Sequence, residues 1–539
     1  MTGQRDGDSG VDITARVDAA SPGTPLAHFW NLCVGAGRAN EGLRAGWLEQ
    51  LDTAARACGF RYVRFHGLLH DDMFVYREQD GRPVHNFQYV DELFDRLLDL
   101  GVRPFVELGF SPGDLATERD TVFWWRANGS PPVDLERWSD LVAALVRHWA
   151  DRYGVGEIRQ WYFEVWNEPN LRPFFHGTRS QYFALYTATA AAVRSVDAAL
   201  RVGGPATSNF VPDDRFAGEV EDLTRHAETI AAPDLDALDW TPVWLTEFLD
   251  HCHRTGSPVD FVSAHPYPTD WALDDLGRSV KLTRHADATR QDLEVLRRTV
   301  DASPFPGAEI HLTEWSSSPS PRDHTHDHLQ AATFVVKANL ESAGLVDSLS
   351  YWAFTDVFEE AGAGDTVFHG GFGMINFQGV PKPVFHAYRF LGSLGDELLA
   401  RVPGAVVTRH GDSGALTVLA YHYPAEVTTA PPASFDDRTV AERTLATGTP
   451  RRLGITLTGL PARAAFTVEV LDHESGNTLE LWRRMGSPDP LGREQARRLR
   501  REAGAPARHT VRASADGELR IDRAIAPWSV VLVREERTP

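Results

Sequence analysis

The stretch W-Y-F-E-V-W-N-E-P-N, residues 161–170, is an apolar, aromatic and β-branched run that closes on a carboxylate, Glu168, with a proline directly after it. Such a run reads as a buried strand, and the proline stops its continuation, so the acid stands where strand gives way to loop. A second run, E-I-H-L-T-E-W at residues 309–315, has the same build and presents Glu314. Outward from these two, strand-like and helix-like segments alternate from about residue 28 to 395. Strands are expected at 29–35, 62–68, 103–110, 161–167, 201–206, 260–265, 309–314 and 349–354. Helical spacing of apolar residues falls between them, at 41–58, 89–100, 135–153, 180–200, 286–300 and 328–343. Eight strand-then-helix units without a reversal predict an α/β fold, a closed (β/α)8 TIM barrel. A doubly wound open sheet is disfavoured, because G-A-G-R-A-N at 35–40 lacks the glycine spacing of a phosphate turn. Barrel enzymes work at the C-terminal ends of their strands, which puts Glu168 (fourth) and Glu314 (seventh) on one rim.

Beyond residue 396 the pattern changes to short alternating strands at 405–408, 415–423, 452–458, 465–472, 511–513 and 529–534. They predict a C-terminal β-sandwich accessory domain over 396–539, after a catalytic barrel over 28–395. The arginine-rich helix at 492–503 reads as a solvated surface helix, and 424–441 as a loop. Residues 1–27 are polar, but V-D-I-T-A-R-V at 11–17 alternates like a strand and is expected to pair with the sandwich. At 539 residues the chain is long enough for both units.

The formal net charge is −21, which argues against a nucleic-acid partner or an anionic membrane. Three widely spaced cysteines, Cys33, Cys58 and Cys252, form neither a disulfide framework nor a metal motif. No basic-then-apolar leader and no membrane-spanning apolar run occur, so a cytoplasmic enzyme is expected. A monomer and a homo-oligomer both fit.

Two carboxylates facing one another are the usual equipment for cleaving a glycosidic bond, so a carbohydrate substrate is expected. Asn167 precedes Glu168 and can orient it or bind a sugar hydroxyl, and Trp315 can wall an apolar site beside Glu314. His66, His265 and Tyr267 follow the second and sixth strands on the same rim. Histidines are more often structural than functional, but their place at strand ends favours sugar contact. Trp352 offers a face for a pyranose, and Glu359 and Glu360 offer acceptors for its hydroxyls, although adjacent acids are usually a solvated loop. R-D-H-T-H-D-H at 322–328 invites a zinc reading, but without a further ligand pattern a helix-capping loop is favoured, and no metal or cofactor is expected.

In order along the chain, C-V-G-A-G-R from Cys33, R-F-H-G-L-L-H-D-D-M from Arg64, F-E-V-W-N-E-P-N-L from Phe163, D-F-V-S-A-H-P-Y from Asp260, L-T-E-W from Leu312 and Y-W-A-F-T-D-V-F-E-E from Tyr351 carry a resemblance. The chain resembles glycoside hydrolase family 39, and its β-xylosidases more than its α-L-iduronidases. The resemblance implies retaining hydrolysis on a (β/α)8 barrel, with Glu168 as acid/base and Glu314 as nucleophile. It implies that Asn167, His66, His265, Tyr267, Trp352, Glu359 and Glu360 contact the innermost sugar. The expected substrate is a β-1,4-xylo-oligosaccharide or β-xyloside, with xylose released from the non-reducing end. Glucoside, galactoside, arabinopyranoside or iduronide specificity is the alternative, with Arg322 the candidate to seat a uronate. A non-catalytic sugar-binding barrel and a metal hydrolase built on the histidine run are rivals of other classes.

Overall fold

The structure, a computed structural model, describes residues 12–208, 210–212, 239–273, 279–427, 438–503 and 506–536. Eight strands form a closed barrel: β1 (Cys33–Arg38), β2 (Tyr62–His66), β3 (Arg103–Leu108), β4 (Tyr162–Val165), β5 (Arg201–Ser208), β6 (Phe261–His265), β7 (Glu309–Trp315) and β8 (Ser348–Tyr351). All neighbours pair in parallel, and β8 closes on β1 through Tyr351 and Val34. A helix follows each strand, from Ala45–Cys58 after β1 to Pro383–Leu391 after β8. The sheet is covered outside by helices and filled inside, so its strands are apolar without alternation.

The N-terminal mouth of the barrel is plugged by rings. Tyr62, Phe105, Tyr162 and Phe261 form one buried cluster, with Phe105 stacked on Tyr162 at 4.7 Å. Two residues further along the same strands, the inward positions become Arg64, Glu107 and Glu164, all fully buried. The two-residue period of a strand thus carries each chain from an aromatic plug to a charged layer, and then to the open rim.

Several boundaries differ from the sequence reading. Phe29–Asn31 is a 3-10 turn, and the first strand begins only at Cys33. The fourth and eighth strands end early, at Val165 and Tyr351.

The C-terminal region pairs a seven-stranded sheet with a three-stranded one. Strand Ile13–Asp18 lies parallel to Arg451–Thr458, so the start of the chain is built into the smaller sheet. Two strands escaped the sequence reading, Glu397–Val402 and Leu519–Ile525. In the larger sheet Val407, Val418, Val531 and Val533 face the smaller sheet. The alternate residues Val406, Leu419, Val530 and Leu532 join the barrel's own core. Burial on both faces is why V-V-L-V at 530–533 is apolar throughout.

The helix Arg493–Ala503 lies at the surface with its arginines exposed, and it also buries one stripe that the sequence reading did not single out. Its Ala496, Leu499 and Ala503 are buried, and Leu499 packs with Phe368, Val380, Leu479 and Trp482. Leucine and alanines at helical spacing outweigh the surrounding arginines. Of the expected loop at 424–441, residues 438–441 begin the helix Arg438–Leu445, and 428–437 lie outside the described residues. Among the described residues no helix is long and apolar enough to cross a membrane. The three cysteines are buried and unpaired.

Candidate active site

Two local irregularities bring the acids together. After β4 the backbone turns into the left-handed region at Trp166 (φ +70°) and at Glu168 (φ +45°). The Glu168 amide donates to the carbonyl of Ala206 on β5 at 2.9 Å, which holds this turn. Such a backbone is costly for a residue with a side chain and persists where its surroundings fix it. On β7 the pairing with β8 shifts register between Leu312 and Trp315. A strand would send Thr313 and Glu314 to opposite faces, whereas this bulge lets both reach the interior.

The result is a tight cluster at the rim. A carboxylate oxygen of Glu168, one of Glu314 and a ring nitrogen of His265 lie within 4.8 Å of one another. His265 Nδ1 is 3.0 Å from Glu168 Oε1, and its Nε2 is 2.9 Å from Thr313 Oγ1. The Tyr267 hydroxyl donates to Glu314 Oε1 at 2.6 Å, and Arg64 Nη1 lies 3.6 Å from Glu314 Oε2. Arg64 also binds Glu164 (2.6 Å), Glu107 (3.1 Å) and the side-chain oxygen of Asn167 (2.8 Å). That leaves the Asn167 amide nitrogen as the end available to a ligand.

His66 pairs through Nδ1 with Glu107 at 2.5 Å, and its Nε2 lies 3.5 Å from Glu360. Trp352 packs 4.8 Å from the His66 ring. A Cβ on Gly35 would stand 2.3 Å from the Trp352 ring, so the indole occupies space only glycine leaves. Trp352 is only 1% exposed, so it forms a wall and not an open platform. Glu359 is engaged by Arg38 at 2.8 Å and Arg44 at 2.7 Å, and would reach a sugar only by sharing those oxygens.

Burial pushes the Glu168 carboxyl up to about 7, against a hydrogen bond from Ser208. Burial and the charge of Glu168 raise Glu314 too. Glu360 lies well above the usual carboxyl range, through burial and the charge of Glu314. Carboxyls this close do not all ionise together. Glu168 has the Ser208 hydroxyl, whereas Glu314 has both the short Tyr267 hydrogen bond and the Arg64 guanidinium 3.6 Å away, so the charge rests best on Glu314 and the proton on Glu168. Burial lowers His265 to about 4, which keeps the ring neutral near pH 7.

The histidine run is a 3-10 turn, His324–Asp327, capped by Asp323. Asp327 and Asp356 both bind the buried ammonium of Lys382, at 2.8 and 2.7 Å. Their other oxygens take the amides of Gly370 and Gly373. The run therefore buttresses the loop after β8. Among the described residues two trios have donor atoms close enough for one cation: Glu168, His265 and Glu314, and the rim residues Glu118, Asp120 and His176. The histidine run supplies neither.

The family model for glycosyl hydrolases family 39 matches residues 13–520. The chain belongs to that family. This family-39 chain is 40% identical to a β-xylosidase of Geobacillus stearothermophilus over 399 residues, 72% of this chain and 73% of the other. It is 35% identical to a β-xylosidase of Caldicellulosiruptor saccharolyticus over 509 residues, 94% of each. The crystal structure of a monomeric β-xylosidase from Caulobacter crescentus superposes with a TM-score of 0.83 at 33% identity, covering 97% of this chain and 99% of that one. Similarity to the mouse α-L-iduronidase is confined to 36% of this chain and 30% of that protein, at 31% identity. The family-39 enzyme is thus a glycoside hydrolase on a (β/α)8 barrel, nearer to these β-xylosidases than to that iduronidase. Sequence reasoning passed over Arg64, Glu164 and Thr313 in this site. Their signal was a charge or hydroxyl at inward-facing positions of strands that are otherwise apolar.

Proposed function

We propose that this family-39 enzyme is a retaining exo-β-xylosidase in which Glu314 is the nucleophile and Glu168 the acid/base. One observation carries the reading: carboxylate oxygens of the two acids fall within 4.8 Å of each other. Retaining enzymes hold their carboxyls about 5–5.5 Å apart, and inverting ones about 6.5–9.5 Å. In the first step a Glu314 oxygen bonds to the anomeric carbon, the glycosidic C–O bond breaks, and the Glu168 proton passes to the leaving oxygen. In the second step Glu168 takes a proton from water, the water oxygen bonds to the same carbon, and the ester to Glu314 breaks. The Asn167 amide, His66, Trp352 and Glu360 surround the sugar in this scheme.

The two β-xylosidases among the relatives support xylose as the glycone. The charges support a neutral sugar over a uronate. Arg64, Arg38 and Arg44 are all paired with carboxylates of the chain. Arg322 clamps the carbonyls of Ala361, Gly362 and Ala363, which takes it away from the role of seating a uronate.

A panel of nitrophenyl glycosides, with NMR of the first-formed anomer, tests the reading. Release from the β-xyloside with β-xylose formed first is expected. First-formed α-xylose would overturn retention, and preference for another glycoside would overturn the substrate. Glu314→Ala should lose turnover of every substrate, whereas Glu168→Ala should keep activity on good leaving groups and regain rate with azide.

A further inference from the structure

We infer that Thr313 and Glu164 are positioning residues that fix the tautomer of His265, so that the hydrogen between His265 and Glu168 resides on Glu168. The inference rests on Glu168 being the acid/base and adds what holds its proton.

The argument follows one chain of hydrogen bonds. Glu164 accepts from the Arg64 guanidinium at Oε2, 2.6 Å away, and guanidinium does not give up its proton. Its other oxygen accepts from the Thr313 hydroxyl at 2.7 Å. A hydroxyl has a single hydrogen, and this one is already directed at Glu164. Toward His265 Nε2, 2.9 Å away, Thr313 can therefore only accept, and Nε2 must carry the ring hydrogen. In a neutral ring Nδ1 is then a bare lone pair. The 3.0 Å contact of Nδ1 with Glu168 Oε1 holds together only when the carboxyl donates.

Both steps of hydrolysis gain from this order. Before bond cleavage the lone pair holds the hydrogen on the acid. After cleavage the Glu168 carboxylate faces that same lone pair, a repulsion relieved when it takes a proton from water. The fully buried ring makes a local switch to imidazolium costly. Other charged and titratable groups face the pair from Arg64 and His66 on β2, Glu107 on β3, Tyr267 after β6, Glu314 on β7 and Glu360 after β8. None of them supplies a hydrogen to Nδ1 in the observed geometry, where Glu168 is its partner.

Ring-labelled nitrogen-15 NMR of histidine in the whole enzyme, with His265 assigned by its loss in His265→Gln, reads the tautomer directly. A neutral ring with hydrogen on Nε2 near neutral pH is expected. Hydrogen on Nδ1, or an imidazolium, overturns the inference. Thr313→Val removes the acceptor for Nε2–H and lets the ring turn its hydrogen toward Glu168. The basic limb of the kcat/KM profile should then move down by about one pH unit, and Thr313→Ser should restore it. An unmoved limb also overturns the inference. Glu168→Ala with azide separates the two levels. Absence of rescue sinks the acid/base assignment itself, whereas rescue beside an unmoved limb sinks the tautomer relay alone.

Discussion

The hydroxyl of Tyr267 meets Glu314 Oε1 at 2.6 Å, the short distance of a donor bound to a charged carboxylate. Tyr267→Phe deletes that donor and keeps the ring. A hydrogen bond to a charged group is worth about 1.5–3 kcal/mol, so kcat/KM should fall ~10–100-fold. The bond favours ionised Glu314, so its loss should move the acidic limb of the pH profile to higher pH. A fall in rate with that limb unmoved would deny the tyrosine its part in holding the charge.

The Glu168 carboxyl, raised by burial to about 7, should set the basic limb of kcat/KM near that pH. It also bears on stability. A carboxyl whose folded pKa lies above its unfolded value contributes stability that is complete below the unfolded pKa, near 4.5, and is lost as pH rises through about 7. Glu168→Gln has no such loss. It should melt close to the parent in mild acid and above it at alkaline pH, by on the order of 2 kcal/mol. Thermal melts of both proteins across that range check the sign.

Lys382 is fully buried between Asp327 and Asp356. Lys382→Met keeps the bulk but leaves two buried carboxylates without their cation, at a cost of about 3–5 kcal/mol. The loop after β8, which carries Glu359 and Glu360, should loosen at the same time. A lower melting temperature with raised KM is expected, read by calorimetry and steady-state kinetics.

Leu499 joins the arginine-rich helix to Phe368 and Trp482. Leu499→Asp buries an unpaired charge there and should destabilise by about 3 kcal/mol or more. On the exposed side of the same helix, Arg497→Asp should change stability by less than about 0.5 kcal/mol. Equal effects of the two substitutions in denaturant unfolding would argue against the packing described.

The barrel and its rim acids were legible because the signals are local. Glu168 and Glu314 each close an apolar strand, and that pattern survives errors of a few residues at strand ends. The amphipathic stripe of the helix Arg493–Ala503 was legible too, at Ala496, Leu499 and Ala503, but the arginines between them drew the reading toward solvent. The strand Leu519–Ile525 was missed because Arg523 stands where its alternation, L-R-I-D-R-A-I, calls for an apolar residue. Its neighbour in the sheet, Arg451–Thr458, decides its state.

By itself the sequence determined the alternation of strands and helices, the two strand-ending glutamates and the aromatic and histidine residues on their rim, because periodicity and strand-end chemistry are properties of a few consecutive residues. Only the tertiary structure decided that Thr313 and Glu314 both face inward, that Arg64 bridges Glu107, Glu164 and Glu314, and that His265 stands between Thr313 and Glu168. Those facts depend on a register shift and on barrel closure, which bring together groups up to 250 positions apart, as Arg64 and Glu314 are (314 − 64), at distances that no local pattern encodes.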